Sequence, residues 1–206
     1  MPAIQNITVS AGHTYSFELR WETEPIVRIP IKGITCPSGS ARIETMVTHG
    51  VLDGWRCAIV NVQQPKQINA ADPNNIDDDE YYPATVVSST IVELNKLNIG
   101  DMKPYTSDGF LQFNTPVSLS GITVRVRMYS RKGGSLLASS VAEDAPLNTL
   151  VTAIDTVKNV IKVTFTSSAT KQLAGKTGWY CVEAVSADAT PVVTPLTNGT
   201  VTIEKE

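Results

Sequence analysis

Residues 122–128 read ITVRVRM, and this stretch decides the fold. Its apolar side chains alternate with Thr123, Arg125 and Arg127, and such a period of two is typical of a β-strand with one buried face. Residues 15–21, YSFELRW, repeat the pattern with four large apolar side chains on one side. We therefore expect these two strands to share one hydrophobic core, although they lie far apart in the chain.

The C-terminal half continues in the same style. β-rich runs at residues 150–154, 160–165, 178–185 and 199–203 are separated by short turn-forming segments. Short strands at even spacing are typical of an antiparallel sandwich. Only residues 167–173, SSATKQL, predict a helix, one or two turns long, because hydroxyl side chains suited to capping open it.

The segment between the two alternating strands has a different texture. Strand-like runs at residues 41–47, 55–62, 84–87 and 90–94 flank residues 63–80, which lack periodicity and are rich in Pro, Asp and Asn. We interpret residues 25–107 as a small β-barrel inserted into a loop of a discontinuous sandwich formed by residues 1–24 and 108–206. Such insertions are tolerated because loop-closure entropy grows slowly with length. The predicted class is all-β.

Composition excludes several function classes. The 206 residues hold 17 Lys and Arg against 20 Asp and Glu, a formal charge of -3, so we expect no nucleic-acid binding. The apolar runs are far shorter than the roughly 20 residues that cross a bilayer, so no membrane association is expected. The N-terminal residues lack a secretory signal, which favours synthesis in a cytoplasm.

Neither a cofactor nor a metal is predicted. Cys36, Cys57 and Cys181 are odd in number and widely spaced, which indicates reduced, buried thiols rather than disulfides or a zinc site. The acidic run around residues 77–80 lacks the alternating ligand spacing and the central glycine of a calcium loop. We expect it to be a solvated loop.

Enzymatic chemistry is also not expected. His13 and His49 are the only imidazoles, so a Ser-His-Asp or Cys-His site would have to use one of them. We predict instead that His49 caps a turn through side-chain to backbone hydrogen bonds, with Gly50 at positive φ. Residues 132–135, KGGS, lack a full phosphate-binding frame and predict a β-hairpin turn.

Two segments resemble known modules. Residues 115–128, TPVSLSGITVRVRM, followed by KGGSLLA at 132–138, resemble a β-sandwich family of tailed bacteriophages found in collar, tail-fibre-attachment and baseplate proteins. Ser118 and Ser120 stand where that family more usually has Asp and Thr. Residues 49–55, 68–70, 82–85, 90–94 and 105–110 are similar to a small barrel that is named for the first catalytic-cysteine half-domain of ubiquitin-activating enzymes and recurs in phage tail proteins. There it is a scaffold, without activating-enzyme activity.

The resemblance implies a non-enzymatic structural or adaptor protein at the neck, collar or tail of a tailed-phage virion, made in the host bacterial cytoplasm. It would be present in several copies, help attach tail fibres, and contact other virion proteins such as tail, portal-adaptor or fibre subunits. Sheet edges and the 63–83 loop are the expected docking surfaces. The candidate partner contacts are Arg125, Arg127, Asp77, Asp78, Asp79, Tyr81 and Tyr82.

Three alternatives remain open from the sequence. The first is a receptor- or glycan-binding module, which needs exposed aromatic side chains on loops; Tyr81 and Tyr82 fit, whereas Trp21, Trp55 and Trp179 lie on predicted strands and are expected in the core. The second is a capsid decoration protein. The third is an enzyme, chiefly a cell-wall hydrolase dependent on His49.

Overall fold

A computed structural model describes residues 3–75 and 79–205. The predicted all-β class is confirmed, since fifteen strands account for most of the regular structure. In chain order they are β1 (Ala3–Ile4), β2 (Ile7–Ser10), β3 (Tyr15–Leu19), β4 (Glu22–Thr35), β5 (Ala41–Thr45), β6 (Arg56–Val60), β7 (Tyr82–Ser88), β8 (Ile91–Leu94), β9 (Phe110–Pro116), β10 (Ile122–Tyr129), β11 (Leu136–Ser139), β12 (Leu150–Asp155), β13 (Val160–Phe165), β14 (Thr177–Ser186) and β15 (Val193–Glu204).

The helical content is small. One α-helix, α1 (Ser167–Gln172), lies where the sequence predicts it, and Thr166 caps it by accepting a hydrogen bond from the backbone N–H of Ala169 at 3.1 Å. Two single 3-10 turns occupy Lys66–Ile68 and Ala142–Asp144. No helix in the described ranges is long and apolar enough to cross a membrane.

The chain divides into two compact units, residues 1–21 with 118–206 and residues 22–117. The first unit has two sheets. One runs β1-β15-β14-β10-β11, with β2 also paired in parallel to β15, and the other runs β12-β13-β3. Inward side chains of both sheets form one core, in which Val126 and Met128 from β10 meet Phe17 from β3. The predicted shared core is therefore confirmed.

Tyr180 is the centre of this core. Its ring lies edge-on to the rings of Phe17 and Phe165, at centroid distances of 6.0 and 6.2 Å. Its hydroxyl donates a hydrogen bond to the carbonyl of Gln5 at 2.8 Å, which ties the N-terminal strands to the sheet. Burial raises the pKa of Tyr180 to about 12, so the hydroxyl stays protonated and remains a donor.

The second unit, residues 22–117, is closed. Its strands follow the order β4-β5-β8-β7-β6-β9, and β9 pairs back onto β4. The interior holds fully buried Trp55, Cys57, Ile43 and Leu94. The long strand β4 pairs with two strands. Its first half pairs with β9 and its second half with β5, and the pairing with β5 has a register shift between Ile31 and Gly33.

The borders of the units differ from the predicted ones. The sequence assigned residues 110–116 to the sandwich, but β9 pairs with both β4 and β6, and Leu111 and Phe113 lie in the second core. The strand alternates as expected, yet alternation shows only that one face is buried and not which of two cores receives it.

Candidate functional site

The predicted arginine row lies on the outer face of the larger sheet. On β10 and β14, Arg125 stands directly opposite Glu183, and its Nε donates a hydrogen bond to Glu183 Oε2 at 2.7 Å. Arg127 Nε donates to Asp144 Oδ2 at 2.9 Å. Both arginines are thus on one face, as the alternation predicts, but each is already paired within the chain. An acidic partner would have to displace these carboxylates.

Asp144 is held by two donors. Besides Arg127, the buried hydroxyl of Ser139 donates to Asp144 Oδ2 at 2.5 Å, and Ser139 Oγ itself accepts from the N–H of Val141 at 3.0 Å. The hydrogen bonds from Arg127 and Ser139 lower the pKa of Asp144, while the bond to Asp144 raises the pKa of Arg127. The cluster fixes the turn Ala142–Asp144 against β10 and β11.

An aromatic pair continues the same face. Tyr129 and Trp179 are register partners on β10 and β14, with ring centroids 6.1 Å apart and planes inclined by 36°. Both side chains are partly exposed, and neither belongs to the core. The expectation that Trp179 is a core residue is therefore wrong. Trp55 is fully buried and Trp21 packs against the sandwich core, as expected.

The 63–83 loop is anchored to the barrel at its first half by an asparagine. Asn69 Oδ1 accepts from the N–H of Val62 at 2.7 Å, and its Nδ2 donates to the carbonyl of Val62 at 2.9 Å. The N–H of Ala70 donates to the carbonyl of Ile59 at 2.8 Å. The loop therefore bonds to β6 beyond the point where its pairing with β7 ends, at Arg56 and Cys57. The side-chain amide of Asn69 thus takes the place of a backbone peptide group in bonding to Val62, and it holds a segment that has no sequence periodicity.

Its second half is anchored by Tyr81. The Tyr81 hydroxyl donates a hydrogen bond to the carbonyl of Pro73 at 2.6 Å and accepts one from Gln112 Nε2 at 2.5 Å. Gln112 Nε2 also donates to the carbonyl of Pro73. The other amide atom, Gln112 Oε1, accepts from Arg28 Nε at 2.8 Å. Burial raises the pKa of Tyr81. With 4% of its surface exposed, Tyr81 is not a contact residue, which corrects the prediction.

The other predicted loop contacts separate into different environments. Tyr82 begins β7 and packs partly buried against the barrel core, so it too is not a loop-tip aromatic. Asp79 is exposed, and its role as a partner contact stays a prediction. Asp77 and Asp78 lie outside the described residues. Glu80 accepts a hydrogen bond from the N–H of Ala71 and so serves the loop itself.

Metal binding finds no support in the described ranges, where no group of three or more His, Cys, Asp or Glu side chains converges. The cysteines are free thiols. Burial raises the pKa of Cys181 to about 11, and burial also raises the pKa of Cys57. Both thiols therefore stay protonated near neutral pH, and a protonated thiol is a poor nucleophile.

His49 is a turn residue, as predicted. Its Nδ1 accepts from the N–H of Val51 at 2.9 Å, which leaves Nε2 to donate to the carbonyl of Ser88 at 2.8 Å. The side chain is buried, and Gly50 has φ of 68°. Both imidazole nitrogens are thus engaged in joining the turn after β5 to the end of β7.

The predicted turn at residues 132–135 is also present. It is closed by a hydrogen bond from the N–H of Ser130 to the carbonyl of Ser135 at 2.8 Å.

No protein-family model matches this chain. No curated protein matches it in sequence.

The aromatic pair is what the sequence reasoning missed. In residues 177–185 both alternating sets contain apolar side chains, so hydrophobicity alone does not say which set faces the core. The sequence did contain a usable signal. Trp179 is an even number of residues from Glu183, and Tyr129 is an even number of residues from Arg125 and Arg127, so each aromatic side chain shares a strand face with charged ones. The charged members of each strand fix the outward face, and the aromatic residues follow them.

Proposed function

We propose that this chain is a non-enzymatic structural or adaptor protein of a tailed-phage particle, positioned at the neck, collar or tail, where it helps attach fibres or neighbouring tail components. The observation that carries the proposal is the nested β architecture: a closed six-stranded unit, residues 22–117, is inserted between the two segments of a two-sheet unit. This agrees with the two phage modules that the sequence resembles, in the same nested order.

Side-chain chemistry supports a scaffold. His49 and the Gln112–Tyr81 pair use their polar atoms to fix turns and loops, and the thiols of Cys57 and Cys181 are held protonated. Buried polar groups that are committed to internal hydrogen bonds hold turns and loops in place, and a subunit with fixed loops loses less entropy when it assembles. Many copies of such a subunit then multiply weak contacts through avidity.

Sheet edges are the surfaces that we expect neighbouring subunits to use. The strand order leaves β3 at the edge of the smaller sheet, with the exposed side chains of Ser16 and Glu18 turned away from the core. The opposite edge of this sheet is β12. There Thr152 Oγ1 donates a hydrogen bond to the carbonyl of Val124 at 2.8 Å, so β12 covers part of β10. An open edge strand takes a further strand from a partner through main-chain hydrogen bonds.

Particles that lack the protein test the proposal. We expect deletion of its gene from the phage genome to give particles that lack fibres or a collar in negative-stain electron microscopy, with restoration when the gene is supplied in trans. Morphologically complete and infectious particles would contradict an attachment role. Complete particles whose heads lose stability would favour capsid decoration, and complete particles that no longer adsorb to cells would favour receptor binding.

A further inference from the structure

Tyr129 and Trp179 form a solvent-facing aromatic platform on the outer face of the sandwich. We propose that this platform binds a neutral glycan by stacking against the C–H faces of its sugar rings. The rings are partly exposed, lie 6.1 Å apart between centroids and are inclined by 36°. This separation is the usual one for two aromatic rings in contact, so the pair presents two adjacent, partly exposed rings to a ligand on one face of the sheet.

The pair is not needed for the core. On β14 the side chains of Tyr180 and Val182 point inward, and Trp179 between Gly178 and Tyr180 points outward. On β10 Met128 is fully buried, while its neighbour Tyr129 faces out. Large aromatic side chains on the outer face of a sandwich leave apolar surface in water, which is typical of a binding surface.

Polar groups suited to sugar hydroxyls accompany the rings. Within the described part of the chain, neither the indole N–H of Trp179 nor the hydroxyl of Tyr129 makes a hydrogen bond with the protein. Thr200 stands opposite Trp179 in the register and is exposed, and its hydroxyl donates to Asn6 Oδ1 at 2.8 Å. A donor on each ring and a fixed hydroxyl beside them provide the few placed polar groups that orient a ligand.

The charged side chains nearest the rings favour a neutral ligand over a charged one. The cations nearest along the face, Arg127 and Arg125, are paired with Asp144 and Glu183 at 2.9 and 2.7 Å. Since the two members of each pair cancel each other's charge, these four residues place no net charge beside the rings. The apolar centre is two rings wide, far below the roughly 800 Å² per partner of a stable protein interface, so a small neutral ligand fits it better.

Purified protein tests this site whether or not the chain belongs to a virion, so the result is independent of the proposed function. The protein is labelled with 15N in its tryptophan side chains and titrated with cellohexaose, maltohexaose and chitohexaose. The indole signal of Trp179 is assigned with Trp179→Phe. We expect a saturable shift of that signal with at least one of the three oligosaccharides.

Two variants then locate the site. Trp179→Ala removes the larger ring and Tyr129→Ala the smaller one, and each is expected to weaken binding of the responding oligosaccharide about tenfold or more, a change of about 1.4 kcal/mol or more, because a stacked ring is lost. Val151→Ala is the matched control, because Val151 is an exposed apolar residue, with 49% of its surface accessible, on the other sheet. It should bind as the wild type does.

Three results would overturn the proposal. The first is no saturable shift with any of the three oligosaccharides. The second is unchanged affinity in both Trp179→Ala and Tyr129→Ala. The third is a response confined to Trp21 or Trp55, which are packed against or inside the cores. Thermal unfolding of each variant shows whether it is folded, and with two independent ring removals one unfolded variant still leaves the other to decide.

Discussion

The side-chain amide of Gln112 donates a hydrogen bond to the hydroxyl of Tyr81 at 2.5 Å inside the barrel unit, and Tyr81 passes a hydrogen bond on to the carbonyl of Pro73 at 2.6 Å. This relay connects a fully buried glutamine on β9 to a loop that has no regular structure of its own. The Tyr81 hydroxyl is therefore one of several anchors of the loop, and removing it tests how much the second half of the loop depends on this relay.

Tyr81→Phe should lower the free energy of unfolding by about 1–2 kcal/mol, because one hydrogen bond to Pro73 is lost and Gln112 loses an acceptor. Urea titration measures the change, and limited proteolysis should cut the 63–83 loop faster. Tyr129→Phe is the control, since within the described residues the Tyr129 hydroxyl has no hydrogen bond to lose. Equal stability of Tyr81→Phe and wild type would contradict the relay.

His49→Ala should destabilise the barrel unit by about 1–3 kcal/mol, because the buried N–H of Val51 and the carbonyl of the exposed residue Ser88 both lose their hydrogen-bond partner. Differential scanning calorimetry measures the shift. Val87→Ala, at an exposed position on β7 of the same unit, is the control and should change stability little. A His49→Ala protein as stable as the wild type would show that the turn does not need the imidazole.

The Arg127–Asp144 pair should make stability depend on acid pH. The pKa of Asp144 lies below its ordinary value of 3.8, because Arg127 and Ser139 donate hydrogen bonds to the carboxylate. A depressed carboxyl pKa contributes stability that is present above the unfolded value and is lost as pH falls through the folded value. Asp144→Asn should therefore lower the melting temperature at pH 7 and flatten its decline below about pH 4.

Glu143→Gln, one residue away on the same turn, controls for the loss of a charge at an exposed position. Its melting temperature should follow the wild-type pH curve. Parallel acid curves for wild type and Asp144→Asn would mean that the ion pair does not couple proton binding to folding.

Gly199→Ala should disturb the N-terminal strands. A Cβ on Gly199 would collide with the backbone carbonyl of Gln5, the group that also accepts the Tyr180 hydroxyl. Because backbone cannot yield as a flexible side chain does, we expect a loss of about 1–3 kcal/mol or more. Gly33→Ala in β4 is the control, since the nearest atom to its added Cβ is 3.9 Å away, and it should change stability little.

Local patterns predicted local structure well. Residues 122–128 form β10, residues 167–172 form α1, and the turn role of His49 follows from its neighbour Gly50. Each of these depends on contacts within a few residues or on a simple period. The sequence therefore suffices where side-chain spacing alone decides the outcome.

Longer-range relationships were not predictable in this way. The strand Phe110–Pro116 alternates as expected, but its membership of the barrel depends on pairing with residues 22–30 and 58–60. Tyr81 looks like an exposed loop residue until Gln112, 31 positions later, supplies its buried partner. Loop anchors of this kind leave no periodic trace in the sequence. Partner contact by exposed Asp79 and by the internally paired Arg125 and Arg127 stays a prediction.

The central claim, that this chain is a structural component of a tailed-phage particle, is tested most directly by quantitative mass spectrometry of gradient-purified virions. We predict peptides of this chain in the particle fraction, in a fixed ratio to the portal protein that corresponds to several copies per particle. Peptides confined to the soluble fraction of the lysate, with none above background in the purified virions, would contradict it.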